Sequence, residues 1–353
     1  KLVVLLVLAM AGQSVALTPP VIVLGWNCPK CVDAAESVLK AGGGSIEAAV
    51  AGVEVAEEDP NVPSVGWGGS PDFLGETTLD ALCTDGANMN MGGVGDLRRV
   101  KGAARTACGV LKHTGHSLLT GDSATNFATN FLGLKEENLT STKSAEQHAK
   151  WKSGGCQPNY YANTAPPSTS GCGPFRPAQT ETEGTPYREC LGHDDHDTLP
   201  LAIIDESDHA VAVTTTNGLT FKVAGRVGDS AIPGAGNYAR SGVGACGATG
   251  NGDVMMRFLP CYQIVESMRL GYSPKAACED ALQRISRFYP DFGGHLFAVN
   301  ASGATAGCSS QDHGFKIIVA RPGLSYEEIE IKPNPEYVLP HGLDGGAIRT
   351  RIG

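Results

Sequence analysis

The feature that most limits how this chain can fold is a change of character at a single peptide bond. From roughly residue 157 to 197 the sequence is rich in Pro, Thr, Ser, Gly and charge, with almost no apolar periodicity. At Thr198 it turns strand-like at once. Leu199–Asp205, His209–Thr215 and Leu219–Gly225 are short, rich in Ala, Val and Ile, and separated by turn residues such as Asn217-Gly218. A structureless stretch of about forty residues is uncommon inside a compact domain unless it has its own function or stays disordered. The chain therefore reads as two halves joined by a polar linker, disordered from about 173 to 197.

The halves differ in kind. In the first, apolar spacing predicts helices at 29–42, 45–55, 98–113, 124–132 and 143–152, with strands at 21–25 and 79–83. The second opens on strands, continues with helices over 252–270 and 274–288, and ends in strands near 295–300 and 314–320. Runs of strands beside runs of helices predict an α+β layered architecture. The excess of acidic residues, 37 Asp+Glu against 27 Lys+Arg, leaves no basic stripe to neutralise phosphates and excludes a nucleic-acid partner.

The N-terminus carries an apolar run of about ten residues after Lys1, half of the roughly 20 needed to span a bilayer. With the small residues Ser14 and Ala16 it predicts a secretory signal peptide over residues 1–16, and no later stretch predicts a membrane span. Entry to an oxidising compartment makes disulfides expected among the 11 cysteines, and the odd count leaves at least one out of an intrachain pair. Cys28-Pro-Lys-Cys31 has the spacing of a redox motif but no strand–helix–strand context, so it reads as a local disulfide or as two ordinary thiols. Cys156 and Cys172 could staple the start of the polar segment. Asn138-Leu-Thr and Asn300-Ala-Ser are sequons for glycans.

Three groups of residues could carry chemistry. His193-Asp-Asp-His196-Asp197 has the residue types of a metal site, but Gly192 and its surroundings favour a solvated acidic linker. The loops Gly234-Ala-Gly236 and Gly247-Ala-Thr-Gly250-Asn-Gly252 match no phosphate-binding pattern. The third is the junction Asp197-Thr198. A threonine hydroxyl is a poor nucleophile unless a base lies beside it, and an N-terminal threonine created by proteolysis supplies that base as its own α-amine.

The residues around the junction carry a resemblance. His196-Asp-Thr198, Thr214-Thr-Thr216-Asn-Gly218, the run from Gly225-Arg-Val-Gly-Asp to Gly236, and Ala248-Thr-Gly-Asn-Gly-Asp253 follow one another in order. Upstream stand Ser64-Val-Gly-Trp-Gly-Gly-Ser-Pro-Asp72, Gly75-Glu-Thr-Thr-Leu-Asp-Ala81, Gly95-Asp-Leu-Arg-Arg-Val100 and Cys156-Gln-Pro-Asn-Tyr160. In this the chain resembles the glycosylasparaginases, N-terminal nucleophile hydrolases, over about residues 21–320. The resemblance implies a four-layer αββα sandwich built from a first chain, 17–197, and a second, 198–353, after autoproteolysis between Asp197 and Thr198. It also implies a dimer of such heterodimers, a lysosomal setting, and neither metal nor organic cofactor.

Roles follow residue by residue. Thr198 would be the autoproteolytic residue and the nucleophile, and Thr216 would hydrogen-bond and tune it. Arg226 would clamp the α-carboxylate of a glycosylated asparagine, Asp229 its α-ammonium group. Thr249 and the Gly250 N–H would form the oxyanion hole, and Trp26 and Ser64 would line the pocket. The resemblance implies a Cys156–Cys172 disulfide. Cys278 and Cys308 match single members of two family disulfides whose partners are missing here; pairing with each other is one way to satisfy both. The chain also lacks the cysteine pair that vertebrate members carry before the Ser-Val-Gly motif. Plant-type asparaginases and isoaspartyl peptidases share the nucleophile and the Gly-Arg-Val-Gly-Asp clamp. They differ after Thr216, where this chain has Asn217-Gly218, at Asn251, and at Phe258-Leu-Pro260. The remaining alternative is an inactive secreted homologue that binds glycans.

Overall fold

The computed structural model describes residues 19–179, 198–310, 315–321 and 325–333. The signal segment, Cys190, His193, His196 and Asp197 lie outside the described residues. In chain order the elements are β1 (Val21–Leu24), α1 (Pro29–Lys40), α2 (Ser45–Glu57), β2 (Thr78–Asp85), β3 (Asn90–Arg98), α3 (Ala103–His113), β4 (Leu118–Thr120) and α4 (Gly121–Asn126). There follow α5 (Thr142–Ser153), β5 (Thr164–Ala165), β6 (Arg176–Pro177), β7 (Leu199–Ile204), β8 (Ala210–Thr216), β9 (Asn237–Arg240) and β10 (Gly244–Gly250). The rest are α6 (Gly252–Phe258), α7 (Pro260–Arg269), α8 (Pro274–Ser286), β11 (Gly294–Asn300), β12 (Thr305–Ser309), β13 (Phe315–Ala320) and β14 (Glu327–Ile331).

The fold is a mixed arrangement of helices and two main sheets. The larger sheet has the order β14-β13-β1-β7-β8-β2-β3-β4, antiparallel except for the β3/β4 edge, and the smaller the order β12-β11-β10-β9. Side chains alternate across a strand, so each central strand serves two cores. Val21, Val23, Ala202, Ile204, Ala210 and Ala212 pack with Ala245, Phe297 and Val299 of the smaller sheet. Their neighbours Ile22, Leu24, Leu201, Ile203, Val211 and Val213 pack with Ala35, Val53 and Ala107 of the first three helices. The smaller sheet turns Cys246, Ala248, Leu296 and Ala298 toward Met255, Ile264 and Leu282 of α6–α8. Strands covered on both faces read as continuous apolar runs, which is why Leu199–Ile204 stands out so sharply in the sequence.

Several expectations need correction. Leu219–Gly225 is not a strand but a loop. Phe221 takes a left-handed backbone at φ +59° and stacks on Trp151 with ring centroids 4.4 Å apart, so its apolar residues fill a local core instead of a ladder. The helix expected over 252–270 is two helices, because Leu259 turns left-handed at φ +50° and Pro260 cannot donate the hydrogen bond that would continue the first. The helix expected from 98 starts at Ala103, and β3 occupies the residues before it; Gly92, Gly93 and Gly95 hide its alternation. Within the polar segment β5 and β6 pair and Cys156–Cys172 closes its first part, while residues 180–197 of the expected linker lie outside the described residues.

The structure pairs Cys278 with Cys308 and closes Cys28–Cys31 as a local disulfide. Cys83–Cys108 and Cys246–Cys261, whose pairing no local spacing announces, tie β2 to α3 and β10 to α7.

One buried acid makes the stability of this core depend on pH. Glu57 ends α2, and its Oε1 accepts from Ala104 N–H at 2.9 Å and from the Thr215 hydroxyl at 2.5 Å, while Oε2 is buried without a partner among the described residues. Burial pushes its carboxyl from 4.5 up to about 8, against the opposing pull of those two hydrogen bonds. The folded protein thus holds a proton that the unfolded chain releases above pH 4.5. The associated stability is full below that pH and is lost as pH rises through about 8. Glu57→Gln keeps the acceptor and removes the titration. Its melting temperature relative to wild type should climb between pH 5 and pH 8, by an amount worth on the order of 3 kcal/mol. A constant difference between the two melting temperatures across that range would show Glu57 to be ionised in the fold.

Candidate functional site

The site forms where three ends of the larger sheet meet the end of β10. Leu199 of β7 pairs with Thr215 of β8, which sets Thr198 level with Thr216, and Thr216 in turn pairs with Asp80 of β2. Thr198 is buried. Its backbone N–H donates to Thr249 Oγ1 at 2.8 Å, and its hydroxyl lies 3.2 Å from Ser230 Oγ. Thr216 donates to the Ser64 carbonyl at 3.3 Å and accepts from Gly218 N–H at 2.8 Å, which fixes the turn after β8.

Thr249 and Gly250 end β10. A hydroxyl that accepts from Thr198 still has a proton to donate. Gly250 is at φ +132°, and a Cβ there would sit 2.5 Å from Gly294 Cα and 2.6 Å from the Gly293 carbonyl, so no other residue fits. Asn251 then caps α6 through its side chain, accepting from Val254 N–H at 3.3 Å.

The loop from β8 brings Arg226 and Asp229 into the same region. Arg226 pairs not with Asp229 but with Asp253, Nη2 to Oδ2 at 2.7 Å, in the first turn of α6. Burial works against the guanidinium charge, and Asp253 outweighs it, so the pKa is raised. Asp229 is buried, and burial pushes its carboxyl up to about 7 although Arg226 pulls it down. A Cβ on Gly252 would meet Asp229 Oδ1 at 2.3 Å, so this glycine makes room for the carboxylate.

Four buried polar atoms in this region have no hydrogen-bond partner among the described residues: Ser64 Oγ, Asn217 Oδ1, Arg226 Nε and Asp229 Oδ2. Unsatisfied buried polar groups are rare and call for a ligand or water to complete them.

Of the residues expected from the sequence, Thr198, Thr216, Thr249, Gly250, Arg226, Asp229 and Ser64 lie on segments that the fold brings together through these contacts. Trp26 is half-buried and packs against the helix-side core. Asn138 is exposed; Asn300 is half-buried, its Oδ1 accepting from Ser302 and from Ala304 N–H. Ser230 and Asp253 receive no role from the sequence, although both stand inside the quoted motifs. An acid two residues after an N-cap asparagine is the available signal for Asp253.

A family model described as Asparaginase matches residues 2–323. The chain is 43% identical over 304 residues to an N(4)-(beta-N-acetylglucosaminyl)-L-asparaginase of Mus musculus, covering 86% of this chain and 88% of that one. The Rattus norvegicus protein of the same name is 44% identical over 286 residues, with 81% and 82% covered. A probable isoaspartyl peptidase/L-asparaginase 3 of Arabidopsis thaliana is 43% identical over 303 residues, with 82% and 84% covered. With this match over nearly its whole length, and with the junction threonine at the meeting point of both sheets, the chain belongs to the asparaginase family.

Proposed function

We propose that this protein is an amidohydrolase that cleaves the bond between N-acetylglucosamine and the side-chain amide of asparagine. The observation that carries the reading is the pair of unsatisfied buried atoms Arg226 Nε and Asp229 Oδ2 beside a buried junction threonine. An α-carboxylate and an α-ammonium group would complete both, and a free amino-acid end supplies both. Names of the mouse and rat relatives support the same substrate.

In this reading autoproteolysis between Asp197 and Thr198 divides the protein into a first chain, 17–197, and a second, 198–353. Both belong to one αββα sandwich of the N-terminal nucleophile type, assembled as a dimer of heterodimers and delivered to the lysosome. The freed Thr198 amine acts as base for its own hydroxyl, which attacks the amide carbon. Thr249 and Gly250 N–H hold the oxyanion of the tetrahedral intermediate. The glycosylamine leaves with the proton, and water cleaves the aspartyl ester to release aspartate. Arg226 takes the carboxylate through its planar guanidinium, and Asp229 takes the ammonium. Trp26 and Ser64 line the pocket.

The Arabidopsis relative matches as well as the rodent ones and supports a second reading, hydrolysis of β-aspartyl peptides or asparagine. Rates for a glycosylated asparagine and a β-aspartyl dipeptide decide between them. We expect the glycosylated substrate to have the higher kcat/KM; a preference for the dipeptide would reverse the assignment.

The clamp also predicts a pH dependence. With its carboxyl raised to about 7, Asp229 is protonated in more acidic solution and offers no charge to an ammonium group. Binding must then release that proton. KM should rise as pH falls below about 7, approaching tenfold per unit, while Asp229→Asn should show a high KM with that slope gone. A wild-type KM that stays flat from pH 5 to 8 would show Asp229 to be ionised throughout that range, and a wild-type KM for Asp229→Asn would remove it from the clamp.

A further inference from the structure

The loop that carries Arg226 and Asp229 is long and has no regular structure, yet both side chains must be held at a fixed spacing for the clamp to work. Two charged residues outside the mechanism are completely buried next to it. Lys222 is among the largest fully buried side chains of the molecule, and its Nζ donates to the Asn217 carbonyl at 2.6 Å. Asp80, also fully buried, accepts from Gly228 N–H through Oδ2 at 2.8 Å and from Asp96 N–H through Oδ1 at 2.9 Å.

These bonds fall at the two ends of the loop. Asn217 is its first residue after β8, and Gly228 immediately precedes Asp229. Between them the loop is tied by Phe221 N–H to the Pro71 carbonyl and by Phe73 N–H to the Lys222 carbonyl. Asp80 sits where the pairing of β2 with β3 slips, between Leu79 and Ala81, opposite Asp96 at φ +48°. The extra residue of β3 lies opposite Asp80, whose carboxylate binds Asp96 N–H at the bulge and Gly228 N–H of the clamp loop.

Neither charge is cheap to bury. Burial lowers the Lys222 pKa, and Asp80 is the largest charge acting against that, ahead of Asp96 and Asp72, while Arg226 repels it. A lone buried ammonium would be strongly destabilising, and the Asp80 carboxylate is the main charge that offsets burial of Lys222.

We propose that Lys222 and Asp80 are a buried positioning pair that fixes the two ends of the 217–229 loop and thereby sets the geometry of the Arg226–Asp229 clamp. The inference rests on the clamp reading given above. Neither residue touches substrate, and their effect is on binding rather than on the attack by Thr198.

The test is steady-state kinetics of the self-cleaved enzyme on a glycosylated asparagine, with Lys222→Met, Asp80→Asn and the double variant. Each single variant should raise KM at least ~10-fold, while kcat stays within about 3-fold and cleavage at Thr198 stays complete, as expected when only ground-state and transition-state binding are lost together. The double variant should raise KM by less than the product of the two, since no uncompensated charge remains. A folded single variant with wild-type KM overturns the proposal, as does loss of self-cleavage and kcat with KM unchanged. Should Lys222→Met fail to fold, Asp80→Asn decides on the same readings, because its amide keeps the shape but cannot accept both N–H groups. Arg226→Ala separates the two levels. If it leaves KM unchanged the clamp itself is wrong, whereas a raised KM there beside normal values for the Asp80 and Lys222 variants refutes the pair alone.

Discussion

Replacing Thr198 by alanine is expected to leave a single uncleaved chain on a denaturing gel and to abolish hydrolysis, by at least ~10⁴-fold, the scale of removing a nucleophile. Wild-type protein should run as two pieces that meet between residues 197 and 198. The expectation rests on where Thr198 lies. Its N–H is already bound to Thr249 Oγ1 and its hydroxyl approaches Ser230, so the one residue that could supply both nucleophile and base is held in place by two others. Alanine keeps the Cβ and the backbone hydrogen bond, so the variant should fold. Thr198→Ser should recover part of both reactions, since the hydroxyl and the amine remain and only the methyl group that restricts χ1 is gone. An uncleaved wild-type chain without activity would favour the inactive glycan-binding alternative; a Thr198→Ala chain that still divides would remove Thr198 from the chemistry.

Thr198 stands out in the sequence because a polar segment gives way there to a doubly buried strand, and its role comes from the resemblance of the motifs around it. That β7 and β8 pair in a register setting it level with Thr216 is seen only in the fold. Leu219–Gly225 only imitates a strand. Its apolar residues answer to Trp151, far away in sequence, and no periodicity records that contact. Asp253 as the partner of Arg226, and Asp80 as the anchor of Gly228, are likewise products of tertiary contact across 27 and 148 residues. The roles of Thr249 and Gly250 come from resemblance alone. The backbone shows why glycine is needed at 250: it is pressed against Gly294 on the adjacent strand. Strand patterning is written in the sequence, whereas Asp253 and Asp80, which bond Arg226 and Gly228, stand on segments that only the fold brings together.

Thr249→Ala should lower kcat by about 10²–10³, equivalent to about 2.7–4 kcal/mol, with little change in KM. An oxyanion donor meets its full partner only when the carbonyl becomes tetrahedral, so its loss raises the barrier and leaves ground-state binding nearly untouched. Thr249 also accepts from Thr198 N–H, and alanine removes that contact too. Thr249→Ser separates hydroxyl from methyl: it should restore most of kcat if the hydroxyl is the working group, and none if the methyl group's packing in β10 matters instead. Self-cleavage gives an independent reading, because the peptide carbonyl before Thr198 forms a tetrahedral intermediate of its own. A Thr249→Ala enzyme with normal kcat would place the oxyanion elsewhere. Gly250→Ala should then be the harsher change, since its added Cβ meets backbone on both Gly293 and Gly294 and the carbonyl-binding N–H would have to move with it.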